Sequence, residues 1–203
     1  YLTKIATNAD IKIKYLENYP EFCCGMAFDS RGYRNTGTEL RKKLLENIAL
    51  QSDQRRIPVI IDISPCTQYI LAGDTAGLQI MDSITFMNQI KVDLQLSPMA
   101  TTVFAHPVCS SQKMGNGHHL IELAKACAGS VETSMEGFCC GMAGDRGLRV
   151  PELPRHAVKT STNPGAALGV SSSRTCEMGL KEYTGLEFIS MEELVMRAIA
   201  NST

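Results

Sequence analysis

The sequence predicts an α/β protein with mostly parallel sheets, organised as two related halves. Three observations predict it. Short apolar, β-branched runs alternate with stretches of helical periodicity, the pattern of parallel strands joined by helical crossovers. One cysteine phrase occurs twice, as FCCGMAFDSRGY from Phe22 to Tyr33 and as FCCGMAGDRGL from Phe138 to Leu148. Single cysteines (Cys66, Cys109 and Cys176) lie just after strand-like runs, and ligand sites of open α/β sheets gather at the carboxyl ends of strands.

The elements follow in order. Leu40, Leu44, Leu45 and Ile48 share one helical face. IPVIIDI at 57–63 is an apolar run ending at Ser64-Pro65, the mark of a buried strand. TTVFA at 101–105 reads the same way. Leu120, Leu123, Ala124 and Cys127 recur at the spacing of one helix face. AALGVSS at 166–172 and LEFIS at 186–190 predict two further strands. Ser190 and Glu193 form a capping box, and Leu194, Val195, Ala198 and Ile199 continue as a buried stripe.

The repeat sets the domain organisation. Cys139 lies 116 positions after Cys23, and Cys176 lies 110 after Cys66. The period is therefore near 110, and the predicted division is 1–100 and 101–203. The second half opens with TTVFAHPVCSSQKMG, which carries Cys109. A matching cysteine should precede Cys23 by about 30 positions, yet only 22 residues stand before it. The expectation is that the chain begins inside the first repeat, upstream of which a partner domain is missing.

Composition narrows the function classes. Of 203 residues 44% are hydrophobic and 20% charged, with a net charge of −1, the balance of a globular protein able to bury a core. No basic run argues for a nucleic-acid partner, and no apolar run approaches the roughly 20 residues of a membrane span. Eight cysteines in a core-rich chain with ten methionines suit a reducing compartment better than a disulfide scaffold. No GxSxG, P-loop or GxGxxG pattern occurs.

Repeated cysteine sets point to metal. In the second half Cys109, Cys139, Cys140 and Cys176 offer four thiols from three loops, the usual complement of a cubane iron–sulfur cluster. Gly141, Gly144 and Gly147 let the backbone approach such a core and aim amides at it. Arg146 and Arg174 would offset its negative charge. The first half offers Cys23, Cys24 and Cys66, an incomplete or labile site. Cys127, on an apolar helix face, reads as core packing. His106, three positions before Cys109, is a ligand, a proton carrier or a polar residue closing a strand. His118 and His119 read as solvated. Asp145 and Arg146 either contact a cluster, a substrate carboxylate or a partner, or form a turn held by their own ion pair. Four thiolates also fit a structural zinc site, although adjacent cysteines are less natural there.

These residues resemble a known family. Cys-Cys-Gly, with one cysteine about 30 residues before and one about 35 after, resembles the cysteine-rich CCG domain. That domain occurs in tandem in the B subunit of heterodisulfide reductase and in iron–sulfur subunits of glycolate, lactate and glycerol-phosphate oxidases. CSSQKMG at 109–115, GFCCGMAGDRGLRVPEL at 137–153 and SSSRTCEMGL at 171–180 are most similar to the C-terminal part of FAD-linked D-lactate dehydrogenases, as are FCCG at 22–25, RGY at 31–33 and DISPCT at 62–67. The resemblance implies two pseudo-repeated CCG subdomains. It implies a 4Fe-4S cluster that relays electrons from FAD on an N-terminal domain of the same chain to a quinone or cytochrome. It also implies a cytoplasmic setting, with peripheral association of the full protein at the inner face of the membrane. One departure stands out. The family closes each repeat with Cys-x-x-Cys, but here the first position is Ile63 in one copy and Ser173 in the other. That favours electron relay over the disulfide-reducing chemistry that uses all five cysteines.

Overall fold

The computed structural model describes residues 1–133, 138–159 and 165–201. Helices α1 (Leu2–Asn8), α2 (Met26–Asp29) and α3 (Arg34–Gln51) come first, then strand β1 (Val59–Ile61), helix α4 (Ser64–Leu71), strand β2 (Ile80–Asp82) and helix α5 (Ser83–Ile90). Strand β3 (Met99–His106) is followed by helices α6 (Cys109–Met114) and α7 (Gly117–Cys127), strand β4 (Ala128–Thr133) and helices α8 (Arg146–Arg149) and α9 (Glu152–Lys159). Strand β5 (Leu168–Ser171), helix α10 (Arg174–Thr184), strand β6 (Phe188–Ser190) and helix α11 (Met191–Ala200) follow. The architecture is the expected α/β type, and every strand pairing among the described residues is parallel.

Two compact units are present, Lys12–Ser83 and Tyr1–Ile11 with Ile84–Thr203. The division at residue 100 rests on different ground, the alignment of the cysteine phrases, and remains a proposal about the duplication.

In the Lys12–Ser83 unit, β1 and β2 pair from Val59↔Ile80 to Ile61↔Asp82, with α4 as the crossover. Leu45 and Ile48 of α3, Ile70 of α4, Leu78 and Cys24 form the core. The buried strand expected over 57–63 is shorter and only half-buried. Its flanking Ile57 and Ile63 are 45% and 50% exposed, because a sheet of two strands covers little of either face. Two hydroxyl bonds cross between the ends of the two strands, one of them from the first residue of α4. Ser64 Oγ donates to Asp82 Oδ2 at 2.9 Å, and Ser83 Oγ donates to the Asp62 carbonyl at 3.1 Å. They fix the helix start that carries Cys66.

The other unit holds a four-stranded sheet in the order β4-β3-β5-β6. Central β3 runs beside β5 from Val103↔Leu168 to His106↔Ser171, and Gly169 pairs with Phe188 on β6. A Cβ at Gly169 would lie 2.5 Å from the Phe188 ring, so the missing side chain there lets Phe188 turn edge-on to Phe104 at 6.3 Å. Leu120, Leu123, Ala124 and Cys127 of α7 are buried as the periodicity predicts. Cys127 is a core thiol, pushed up to about 12 by burial. Ser190 Oγ accepts from the Glu193 amide at 3.2 Å, the expected cap, and Leu194, Val195 and Ala198 face the core.

Candidate metal centre

The chain builds the same small device twice. In each copy a cysteine occupies the third position of the helix that follows a strand: Cys66 in α4 after β1, and Cys176 in α10 after β5. In each copy the second cysteine of the Cys-Cys pair meets it. Cys24 Sγ and Cys66 Sγ are 2.9 Å apart, as are Cys140 Sγ and Cys176 Sγ. In each copy the glycine amide points back at the first cysteine, Gly25 N to Cys23 Sγ at 3.4 Å and Gly141 N to Cys139 Sγ at 3.3 Å.

The third letter of Cys-Cys-Gly has a steric reason in both places. Gly25 has φ +88° and Gly141 φ +74°, a left-handed backbone that disfavours a Cβ. A Cβ at Gly25 would lie 2.1 Å from the Gly37 carbonyl oxygen, and one at Gly141 would lie 2.5 Å from Pro154 Cα. The close approach is thus to protein backbone, while the amide serves the sulfur.

Cys109, the first residue of α6, completes the second set, with its Sγ 3.6 Å from Cys139 Sγ. All four thiols therefore stand in two contacting pairs. The pairs feel each other, since charge on Cys140 contributes to raising Cys109 and charge on Cys109 contributes to raising Cys176. Burial is the main cause that lifts Cys109 to about 11, followed by Cys139. Within the tight pairs one proton is shared. The Cys176 thiol donates to Cys140 and holds it down at about 4, with the Met142 amide and the nearby His106 ring assisting against burial. Cys176 is correspondingly raised, first by Cys140 and then by burial. Cys24 is held at about 6 by the Cys66 thiol, and Cys66 is raised. All these cysteines are free thiols.

His106 was the residue the sequence left open. It ends β3, is 0% exposed, and neither ring nitrogen has a well-directed hydrogen-bond partner. A ring nitrogen lies within 4.8 Å of both Cys140 Sγ and Cys176 Sγ. Sequence reasoning missed Ser110 and Ser172, whose buried hydroxyl oxygens also lack partners, in the segments carrying Cys109 and Cys176. Nothing in the pattern of the chain singles out these two serines.

Arg174 pairs with the buried Glu177 at 2.9 Å. Arg146 is exposed at the start of α8, and Asp145 pairs with Arg149 at 3.8 Å. His118 is exposed as expected, but His119 is half-buried and its Nδ1 meets Thr85 Oγ1 at 3.1 Å.

The donor set fits a thiophilic metal centre. It comprises soft thiols and one imidazole, with no carboxylate among the converging atoms of the described residues, and the buried Ser110 and Ser172 hydroxyls without partners lie in the segments that carry it.

No family model matches the chain. It is 27% identical over 200 residues to a subunit of the anaerobic glycerol-3-phosphate dehydrogenase of Escherichia coli K12, and equally to its counterpart in Escherichia coli O157:H7. The match covers 89% of this chain and 50% of each relative. The chain thus spans about half the length of the curated relatives it matches, and the similarity extends over both cysteine-bearing units.

Proposed function

We propose that this chain is an iron–sulfur electron-transfer module of an oxidoreductase, with its cluster held by Cys109, Cys139, Cys140 and Cys176. The observation that carries this reading is the convergence of the Cys109–Cys139 and Cys140–Cys176 pairs, at 3.6 and 2.9 Å, from three separate segments of the chain. Similarity to a dehydrogenase subunit supports the oxidoreductase setting. A bound cluster supplies reversible one-electron chemistry.

The chain's own residues do the rest. Cys140 reaches the thiolate state ahead of Cys109 and Cys176, and thiolates are the ligating form. The Gly141 amide holds the Cys139 sulfur. Phe138 stands edge-on to His106 at 5.2 Å. The first set, Cys23, Cys24 and Cys66, is an incomplete site in this reading.

The finer parts of the proposal are these. The cluster is 4Fe-4S. Electrons come from FAD on an N-terminal domain of the same protein and leave to a quinone or cytochrome. Arg146 and Arg174 moderate the site's charge. The relatives are named for glycerol-3-phosphate, and the sequence motifs resemble those of D-lactate enzymes. Both substrates carry a secondary alcohol that yields two electrons on oxidation, and we assign a D-2-hydroxy acid on the motifs. Among the described residues no helix is long and apolar enough to cross a membrane, so contact with the inner face of a membrane would come through the full protein.

A zinc module is the second reading, favoured by the mixed His106, Cys140 and Cys176 group, since zinc takes the same ligands. Metal analysis of anaerobically purified protein separates the two. Iron with acid-labile sulfide supports the first, and zinc at about one per chain with no sulfide supports the second.

A further inference from the structure

We infer that the second-half site takes an imidazole as well as thiolates: His106 is a direct ligand of the bound cluster, beside Cys140 and Cys176. The inference rests on the iron–sulfur reading above and adds to it a residue outside the four cysteines.

Position is the first ground. His106 ends β3, the strand flanked by β4 and β5. It sits in register with Ser171, whose Oγ donates to the His106 carbonyl at 3.1 Å. Its backbone is therefore fixed by the sheet, unlike a histidine on a loop.

Burial is the second. A strand-closing polar residue is expected to reach water, and His106 is 0% exposed. A core histidine is expected to find a partner, because leaving a buried polar group unmet costs about 1–3 kcal/mol. Neither Nδ1 nor Nε2 of His106 has a well-directed one, although the ring lies close enough to Cys140 to help lower its pKa. Phe138 packs edge-on against the ring at 5.2 Å.

Convergence is the third. One ring nitrogen and the Cys140 and Cys176 sulfurs all lie within 4.8 Å of one another. Ligand bonds of about 2.0–2.3 Å put the ring nitrogen within reach of a metal atom bound by Cys140 or Cys176 after small side-chain movements. The ring stands near the sulfurs without a well-directed hydrogen bond to either, so no existing bond holds its nitrogen away from a metal. Metal ligation would also settle the ring nitrogen that the protein leaves unmatched. At this added position a neutral imidazole brings no negative charge where a thiolate would, and so keeps the potential higher.

The test uses the full chain, prepared anaerobically with and without 15N-labelled histidine. Iron and sulfide are assayed first, and pulsed EPR of the reduced protein is then recorded. The inference expects a strongly coupled nitrogen that changes with the label. It also expects His106→Cys to keep its iron, lose that coupling and shift to a lower reduction potential. Iron and sulfide present without a histidine nitrogen signal would overturn the inference and leave the iron–sulfur reading standing. A signal that survives in His106→Cys would overturn it too. Absence of iron and sulfide would contradict the iron–sulfur reading itself and remove the inference with it. Because the label is read in the unaltered protein, a His106→Cys chain that fails to fold does not block the decision.

Discussion

An ordinary thiol ionises near 9.0, and Cys140 does so near 4 because the Cys176 thiol donates to its sulfur. This shared proton has a consequence for the reduced, metal-free protein. Between about 4 and 9.0 the folded Cys140–Cys176 pair binds one proton where the unfolded chain binds two. The unfolded state holds the extra proton and is favoured by acid, so stability rises with pH across this window.

 

Above 9.0 the unfolded cysteines lose both protons while raised Cys176 keeps its own, and stability falls again. The Cys24–Cys66 pair acts in the same sense from about 6 upward. Denaturant midpoints from pH 6 to 10 should therefore peak near 9 and flatten in Cys140→Ser. An unchanged profile in that variant would contradict the shared proton. Cys127 supplies the contrast. It is 0% exposed and free, so Cys127→Ser should keep the metal and lose roughly 1–3 kcal/mol of stability through its buried hydroxyl, measurable by chemical denaturation.

At the scale of elements, each Cys-Cys-Gly turn is held by a glycine that no other residue replaces. Gly141→Ala and Gly25→Ala carry the left-handed cost of about 1–2 kcal/mol and a backbone clash at 2.5 or 2.1 Å besides. Gly144→Ala shares a left-handed φ of +74° but meets open space. Thermal unfolding should therefore show a much larger loss for Gly141→Ala than for Gly144→Ala. Equal losses would remove the steric account of the motif. Much of this level was legible in sequence. The apolar runs at 101–105, 166–172 and 186–190 became β3, β5 and β6, and the cap at Ser190 formed as spaced. Strand β4 was not legible. Its residues AGSVET carry no β-branched run and form a strand by pairing with β3. Strand β2, three residues long beside β1, gave no periodic signal either. The cysteine set was visible because its residues repeat. The state of His106 was not, since burial and an absent partner are properties of packing rather than spacing.

Across the whole molecule, two copies of one device have unequal donor sets. The second has four thiols and a buried imidazole, whereas the first has three thiols and, among the described residues, no converging histidine. Iron should accordingly follow the second copy. Cys66→Ser should retain most of it, and Cys176→Ser should lose it. The arrangement of cysteines at strand ends on helix starts is common to both units, while the full complement is found in one. The central claim is that Cys109, Cys139, Cys140 and Cys176 together hold an iron–sulfur cluster. Its most direct test is iron and acid-labile sulfide content of the anaerobically purified protein beside Cys140→Ser. The account predicts about four of each per chain in the parent and near none in the variant. Full iron and sulfide in Cys140→Ser, or none in the parent, would contradict it.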